Sequence, residues 1–177
     1  AQYGLMSASS WSLVADLGGT RARFALVPRK STEPALRWET RVAEHADFAG
    51  ALKRWLGVVA EAGAWSEHPD DACFAIASPQ PEEARVRMLN APWVLDRATC
   101  AETLGLDAVS VLNDFEALGY AIPDLPEGIC TVLVKGSGHP DAPRLVLGPG
   151  TGLGTCFVLM EDERPRVIPA EGGHVDL

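Results

Sequence analysis

Short stretches in which apolar and polar residues alternate dominate the N-terminal part of the chain. Residues 12–17 and 22–28 lie on either side of a glycine-rich turn and predict two strands. Residues 35–43 alternate well enough to predict a third strand. Three strands in succession indicate a meander, and residues 1–11 before them are expected to form a tail.

The hydrophobic period then changes from two residues to that of a helix. Asp47 is a candidate N-cap for this helix and Gly63 a candidate stop just beyond its end. The apolar residues that share one helical face are Phe48, Leu52, Trp55, Leu56 and Val59.

Beyond this helix, strand and helix patterns alternate up to a strand that ends at Asn113-Asp114. The predicted elements are a strand at 71–77, an extended piece at 85–89, a helix at 96–105, a strand at 107–112 and a helix after residue 113. This alternation predicts an α/β domain over residues 12–113. Residues 114–177 are expected to begin a second domain. A Pro/Gly-rich loop at 123–143 precedes a second strand–glycine turn–strand pattern.

Composition and charge narrow the function classes. The 177 residues are 47% hydrophobic and 22% charged, which is typical of a globular protein. A net charge of −9 repels nucleic acid and anionic membranes, so we expect neither as a partner, while a small anion can still bind a local nest of N–H groups. The four cysteines, Cys73, Cys100, Cys130 and Cys156, include no C-x-x-C pair, and they predict reduced core residues of a cytoplasmic protein.

Two glycine turns lie between apolar strands, Gly18-Gly19-Thr20 and Gly150-Thr151-Gly152. One interpretation is geometric, since glycines adopt the positive φ of tight hairpin turns. The other is chemical, because backbone N–H groups and the Thr20 hydroxyl would form an anion site. Asp16, directly before the first turn, is then either an Mg²⁺ ligand or the acceptor of a turn-stabilising hydrogen bond.

Commoner phosphate motifs do not fit the second turn. The G-x-G-x-x-G pattern requires glycine where the chain has Leu153 or Thr155, and no P-loop pattern occurs. The remaining interpretation is a pair of glycine hairpins that hold the β- and γ-phosphates of a nucleotide from opposite sides.

The junction at Asn113-Asp114 places a carboxylate where a strand passes into a helix. Open α/β sheets often carry their chemistry at such junctions. Asp114 is therefore a candidate general base, although a helix N-cap explains its position equally well. The stretch Glu171-Gly172-Gly173-His174 contains side chains that hydrogen-bond hydroxyl groups, but it is also compatible with a simple turn.

Five motifs together resemble one family. ADLGGTRARFAL, MLNAPW, VLNDFEALGYAIP, LGPGTGLGT and EGGHVD have the order and approximate spacing found in bacterial glucokinases, members of the hexokinase/actin-like ATPase fold group. The resemblance runs from about residue 12 to Leu177. It implies a ribonuclease H-like α/β fold with a mixed sheet and flanking helices.

The resemblance also assigns roles to particular residues. Asp114 would be the catalytic base, and Asp16 would orient Mg²⁺ at ATP, with both carboxylates converging on one cleft. The implied ligands of a glucose-like hexose are Asn113, Asp114, Glu171 and His174, with Asn90 either at the same pocket or capping its loop. The implied ATP-phosphate residues are Asp16, Gly18, Gly19, Thr20, Gly150, Thr151 and Gly152.

Three departures from the family pattern accompany these roles. Arg21 replaces a common asparagine, and would either add a phosphate contact or alter the strand edge. Residues 77–79 read Ala-Ser-Pro instead of Ala-Gly-Pro. The family also continues well beyond EGGHVD. We therefore expect the N-terminal half of a kinase, inactive by itself. The chain is expected either to self-associate through partly unshielded residues of the second sheet or to leave its last ~30 residues weakly ordered. The partly unshielded residues are Leu145, Leu147, Phe157 and Leu159.

The function that follows is ATP-dependent phosphorylation of the 6-hydroxyl of glucose or a similar hexose, which would feed glycolysis. The alternatives are a non-catalytic sugar-binding or regulatory protein, or an inactive fragment, on the same fold.

Overall fold

The computed structural model describes residues 10–29, 31–63, 68–78, 80–126, 128–139, 141–149, 153–162 and 164–170. Contacts divide the chain into two compact units, residues 1–112 and 113–177, each with its own cluster of buried apolar side chains.

Strands and helices follow one another along the chain, and most of them lie where the sequence patterns predict them. The strands are β1 (Trp11–Leu17), β2 (Arg21–Pro28), β3 (Leu36–Arg41), β4 (Asp71–Ile76), β5 (Arg85–Arg87), β6 (Val94–Asp96), β7 (Ser110–Asn113), β8 (Arg144–Pro149), β9 (Leu153–Glu161) and β10 (Arg164–Ala170). The α-helices are α1 (Phe48–Glu61), α2 (Arg97–Leu104) and α3 (Asp114–Ala121). Short 3₁₀ turns cover Val42–Glu44 and Ile122–Asp124.

The first unit is built on a five-stranded sheet in the order β3-β2-β1-β4-β7. The predicted meander is confirmed, because β1, β2 and β3 pair antiparallel. Strand β4 pairs parallel to β1, which makes the sheet mixed, as the family resemblance implied. Strand β3 is shorter than predicted, since the chain turns into a 3₁₀ turn at Val42.

Helix α1 covers one face of this sheet. Its predicted N-cap is confirmed, because the Asp47 carboxylate accepts a hydrogen bond from the Gly50 N–H at 2.7 Å. Gly63, just after its end, adopts a φ of 61° as predicted. The helix buries Phe48, Leu52 and Trp55 against the sheet, and the Trp55 ring stacks on Trp38 with centroids 6.1 Å apart.

Helix α2 begins and ends as predicted, with Asp96 as its N-cap and Gly105 in the left-handed conformation. A short hairpin of β5 and β6 precedes it, and the sequence patterns missed its second strand. Three residues are too few to show a period. Arg97, the first helical residue, donates hydrogen bonds to the carbonyls of Pro81, Glu83 and Val109 and so fastens the neighbouring loops to the helix.

Aromatic rings fill the core of the first unit. Trp93 is fully buried and donates its indole N–H to the His45 carbonyl at 3.3 Å. An isolated histidine is usually a solvated surface residue, but His45 is half-buried. Its ring lies edge-on to Trp38 and Trp93, with centroids 5.9 and 6.3 Å away. Trp55 and Trp93 are fully buried, so these indoles serve packing.

The second unit contains a three-stranded antiparallel sheet in the order β10-β9-β8. Helix α3 packs on β9 and β10 through a small core of Cys156, Val158 and Val167. The third strand, β10, was not predicted from the sequence.

This sheet leaves apolar side chains exposed, as expected for Leu145, Leu147 and Phe157, whereas Leu159 is half-buried. The expected self-association through these residues stays a prediction.

The cysteines occupy different environments. All four are thiols and not disulfides. Cys100 and Cys156 are buried, as predicted, and burial raises the pKa of the Cys100 thiol to about 12. Cys130 is exposed and does not belong to either core. No α-helix within the described ranges is long and apolar enough to span a membrane.

Replacing Trp93 should lower the urea concentration at which the first unit unfolds. Trp93→Ala leaves a large cavity and is expected to cost about 3–5 kcal/mol of unfolding free energy. The measurement is urea denaturation followed by tryptophan fluorescence, since every tryptophan of the sequence precedes residue 112. Leu89→Ala, at a side chain that is 59% exposed, is the control and should cost about 0.5 kcal/mol or less. Equal losses for the two variants would contradict the described core.

Candidate active site

One edge of the first sheet gathers several of the predicted residues. Because β1 and β4 are parallel, the first glycine turn and Ala77-Ser78 follow their strands at the same edge. The backbone N–H of Leu89 donates to the Ala77 carbonyl at 3.2 Å, which brings the loop at residues 88–93 to this edge. A hydrogen bond from the Met88 N–H to the Trp93 carbonyl closes that loop.

The first glycine turn needs its glycines for space. Positive φ was expected at Gly18 and Gly19, but neither has it, so the geometric interpretation is wrong on this point. A Cβ at Gly19 would instead lie 2.8 Å from the Asn90 Cβ and 2.9 Å from the Asn90 carbonyl oxygen. Asn90 is therefore packed directly on the turn.

Hydrogen bonds within the turn limit its anion-binding groups. The Gly18 N–H donates to the Arg21 carbonyl at 3.0 Å, and the Thr20 carbonyl accepts from the Val42 N–H. Gly18 thus closes the turn and does not offer its N–H to a ligand. The groups suited to a phosphate oxygen are the N–H groups of Gly19 and Thr20 and the exposed Thr20 hydroxyl.

Asp16 lies on the face of β1 opposite the buried residues, directly across from Arg23 on β2. Its Oδ2 accepts a hydrogen bond from Arg23 Nη1 at 2.9 Å. Arg23 also donates through Nε to Glu39, which in turn accepts from Arg21 at 2.8 Å. These four side chains, Asp16, Arg23, Glu39 and Arg21, form a charged row across three strands.

The ion pairs of the charged row shift the pKa values of Glu39 and Arg23. The hydrogen bond from Arg23 lowers the pKa of Glu39, and the bonds to Glu39 and Asp16 raise the pKa of Arg23.

Arg21, which departs from the family pattern, pairs with Glu39 at the strand edge. The motifs in the sequence did not point to Arg23 or Glu39. Arg23 could have been found, because counting strand pairs outward from the short turn places residue 23 opposite residue 16.

A complete protein cage for a metal ion is absent among the described residues, where no group of three or more His, Cys, Asp or Glu side chains is suitably placed. Magnesium in kinases usually has one or two carboxylate ligands, with phosphate and water supplying the rest. A half-exposed Asp16 carboxylate beside an N–H-rich turn fits an ion that arrives with a nucleotide.

In the second unit, Asn113 and not Asp114 caps helix α3. The Asn113 side-chain oxygen accepts from the N–H groups of Phe115 and Glu116, and the Glu116 carboxylate accepts from the Asn113 N–H. This is a complete capping box. The N-cap interpretation of Asp114 is therefore wrong. Asp114 is the first helical residue, and its Oδ1 accepts from the Phe115 N–H at 2.9 Å.

Phe115 fixes the position of this helix. Gly148 and Gly154 face each other across β8 and β9, and a Cβ on either would overlap the Phe115 ring. One helical turn later, a Cβ at Gly119 would overlap Val167 and crowd the Cys156 sulfur. The ring occupies the gap left by two glycines, so Asp114 is fastened to the strands that lead into and out of the second glycine turn.

Gly150, Thr151 and Gly152 lie outside the described residues, and so do Glu171 and His174. Residues 77–79 depart from the family pattern, and Ser78 among them is buried. Its hydroxyl accepts a hydrogen bond from the Gln80 N–H at 3.3 Å.

Comparison with known proteins identifies the family. The glucokinase family model matches residues 13–177. The chain belongs to the glucokinase family. A glucokinase from Marinobacter nauticus is 36% identical over 171 residues, 97% of this chain and 51% of the relative. The chain spans about half the length of the curated relatives it matches.

Solved structures of the family agree with the fold. A glucokinase from an Antarctic psychrotroph superposes with a TM-score of 0.79 at 28% identity, covering 95% of this chain and 52% of that one. A ROK family glucokinase from Streptomyces griseus, with a TM-score of 0.59 and 18% identity over 89% of this chain and 46% of that one, shares the fold. The actin-like ATPase fold class implied by the motifs is thereby confirmed.

Gly154→Ala should loosen helix α3 from its sheet. The new methyl group would overlap the Phe115 ring, and overpacking of this kind typically costs about 1–3 kcal/mol. Hydrogen exchange at the amides of β8 and β9 is the measurement, and exchange should become faster. Gly138→Ala is the control, since a Cβ there meets nothing within 4 Å. Faster exchange in both variants alike would contradict the role of the Phe115 contact.

Gly19→Ala should displace the loop at residues 88–93. Because the added Cβ would meet backbone as well as side chain of Asn90, the loop and not a flexible tip must shift. In ¹H–¹⁵N spectra we expect shifts of the Asn90 amide and the Trp93 indole N–H. Gly57→Ala, where the neighbour is only the end of the Arg54 side chain, should leave both signals in place. An unchanged Asn90 signal in Gly19→Ala would be inconsistent with the described contact.

Proposed function

We propose that this chain carries the phosphate-binding turn and the general base of an ATP-dependent kinase that phosphorylates the 6-hydroxyl of glucose or a similar hexose. Membership of the glucokinase family supports the reaction type. The Streptomyces griseus glucokinase of the same fold was crystallised with glucose and AMPPNP, which supports both substrates. The observation that carries the proposal is the placement of Asp114 on a helix locked by Phe115 to the strands of the second glycine turn.

Asp114 would act as the general base. Its carboxylate takes the proton of the sugar hydroxyl as the hydroxyl oxygen attacks the γ-phosphorus and the bond to the β–γ bridging oxygen breaks, releasing ADP. Phosphoryl transfer depends mainly on positioning and charge stabilisation. A carboxylate on the first turn of a capped helix, with Oδ1 held by the Phe115 N–H, has a restricted orientation suited to that task.

The phosphates would be held by backbone N–H groups. In the first unit these are the N–H groups of Gly19 and Thr20, with the Thr20 hydroxyl, while Gly18 closes the turn. The second turn, Gly150-Thr151-Gly152, would contribute in the same way by its resemblance to the family motif. Mg²⁺, oriented by Asp16, would neutralise charge that develops on the transferring phosphate.

Sugar recognition would fall to hydroxyl-binding side chains. Because the Asn113 oxygen caps α3, Asn113 would approach a hydroxyl through its amide nitrogen. Glu171 and His174 are proposed ligands from the EGGHVD motif alone. Asn90 packs on the first glycine turn, which would bind phosphate. A contact from Asn90 to the sugar would therefore place the sugar next to the phosphate-binding groups of the first unit.

The product would be a hexose 6-phosphate, the form in which sugar enters glycolysis, and we place the reaction in the cytoplasm. Four cysteines that are thiols are typical of a reducing compartment.

Asp114→Asn should lower kcat about 10²–10⁴-fold, the usual contribution of a positioned general base. Glucose affinity should change much less, since an amide still hydrogen-bonds a hydroxyl. Coupled assays are run on the chain itself and on the chain joined to the part of the Marinobacter nauticus relative that it does not cover. Asp124→Asn, in the 3₁₀ turn after α3, is the matched control. Turnover by Asp114→Asn near that of the control would refute the base.

A further inference from the structure

The charged row ends at the residue proposed to orient magnesium. Asp16, Arg23 and Glu39 are directly opposite one another on β1, β2 and β3. Arg23 stands in the middle and contacts both carboxylates at 2.9 Å, through Nη1 to Asp16 and through Nε to Glu39. Arg21 holds the second oxygen of Glu39. Arg23 thus contacts both carboxylates of the row, and Glu39 on β3 anchors it.

The geometry of Arg23 restricts Asp16. The Asp16 side chain is 52% exposed, so burial does not select its rotamer. A guanidinium is planar, and its orientation is fixed once two of its nitrogens are engaged. Glu39 engages Nε, which directs Nη1 toward Asp16 Oδ2.

The closeness of Asp16 and Arg23 to the glycine turn also supports a role for Arg23 in orienting Asp16. Asp16 and Arg23 are one pair from the residues that join the glycine turn, Leu17 and Ala22. A change in the Asp16 rotamer would move the carboxylate relative to the N–H groups of that turn. Another arginine on the same face, Arg37, pairs only locally with Glu33 at 3.6 Å and lies away from the turn.

We propose that Arg23 is a positioning residue, which holds the Asp16 carboxylate in the orientation that receives a nucleotide-bound Mg²⁺, with Glu39 anchoring Arg23 from β3. This inference rests on the proposed magnesium role of Asp16. Arg23 balances the charge of Asp16, and the opposite charges of Glu39 and Arg21 leave the whole row neutral. The row therefore orients a carboxylate without making the turn more negative toward phosphate.

The test measures how far Mg²⁺ strengthens nucleotide binding. Isothermal titration calorimetry gives the affinity of the 177-residue chain for AMPPNP in the presence of Mg²⁺ and in EDTA, and the ratio is the magnesium enhancement. The variants are Asp16→Asn, Arg23→Met, Arg23→Lys and Glu39→Gln. Arg37→Met is the matched control, since it removes an arginine from the same sheet face. Thermal unfolding of each variant separates loss of orientation from loss of fold.

In the expected result, Asp16→Asn abolishes the enhancement and Arg23→Met reduces it about two- to fivefold, the range of exposed ion pairs. Arg23→Lys recovers part of the loss, Glu39→Gln causes a smaller one, and Arg37→Met causes none. In the Asp16→Asn background, Arg23→Met should have no further effect on the enhancement.

Three results would overturn the inference, and they are distinguishable. If Arg23→Met keeps the full enhancement while Asp16→Asn loses it, Arg23 has no positioning role and the proposed function stands. If the unsubstituted chain shows no magnesium enhancement, the role of Asp16 fails, and the inference fails with it. An equal drop in Arg23→Met and Arg37→Met would show a general effect of surface charge, which also contradicts the proposal.

Discussion

Close approach at glycine is the constraint on which both candidate ligand-binding parts of this chain depend. Gly19 has no room for a side chain because Asn90 lies against it, and the Phe115 ring occupies the space at Gly148 and Gly154. In each case a hydrogen atom in place of Cβ lets a loop or a ring contact the backbone directly. Gly19 in the first turn, and Gly148 and Gly154 in the strands that flank the second, therefore have a packing role that a search for positive φ alone overlooks.

The fold was largely predictable because its elements carry strong local signals. Helix α1 combines a capping aspartate, one apolar face and a terminal glycine, and all three are found where the pattern placed them. Strands β6 and β10 were missed for different physical reasons. Strand β6 has three residues, too few to show a period. Strand β10 contains Pro165 and Pro169, which usually argue against a strand, but it is an edge strand and tolerates them.

The candidate site was less predictable, since motifs identify residues but not their neighbours. Asp114 was noticed because of its strand-to-helix junction, but the alternative interpretation of Asp114 as the helix cap is wrong, because Asn113 caps the helix and forms a capping box with Glu116. The partial burial of His45 could not be predicted from the sequence, because Trp93, one of the two rings beside it, is 48 residues further along the chain. The pairing of Arg23 with Asp16 was missed for a similar reason, since it is found only by counting the strand register outward from the turn.

The distribution of tryptophan and cysteine makes the two units optically distinct. All five tryptophans of the sequence fall within residues 1–112 of the first unit, while the second unit contains the exposed thiol of Cys130 and the buried thiol of Cys156. A dye attached to Cys130 would accept energy from indole donors that all lie on the other side of the boundary at residue 112. Resonance energy transfer in this chain would therefore report how the distance between the units responds to ligands, without any engineered donor.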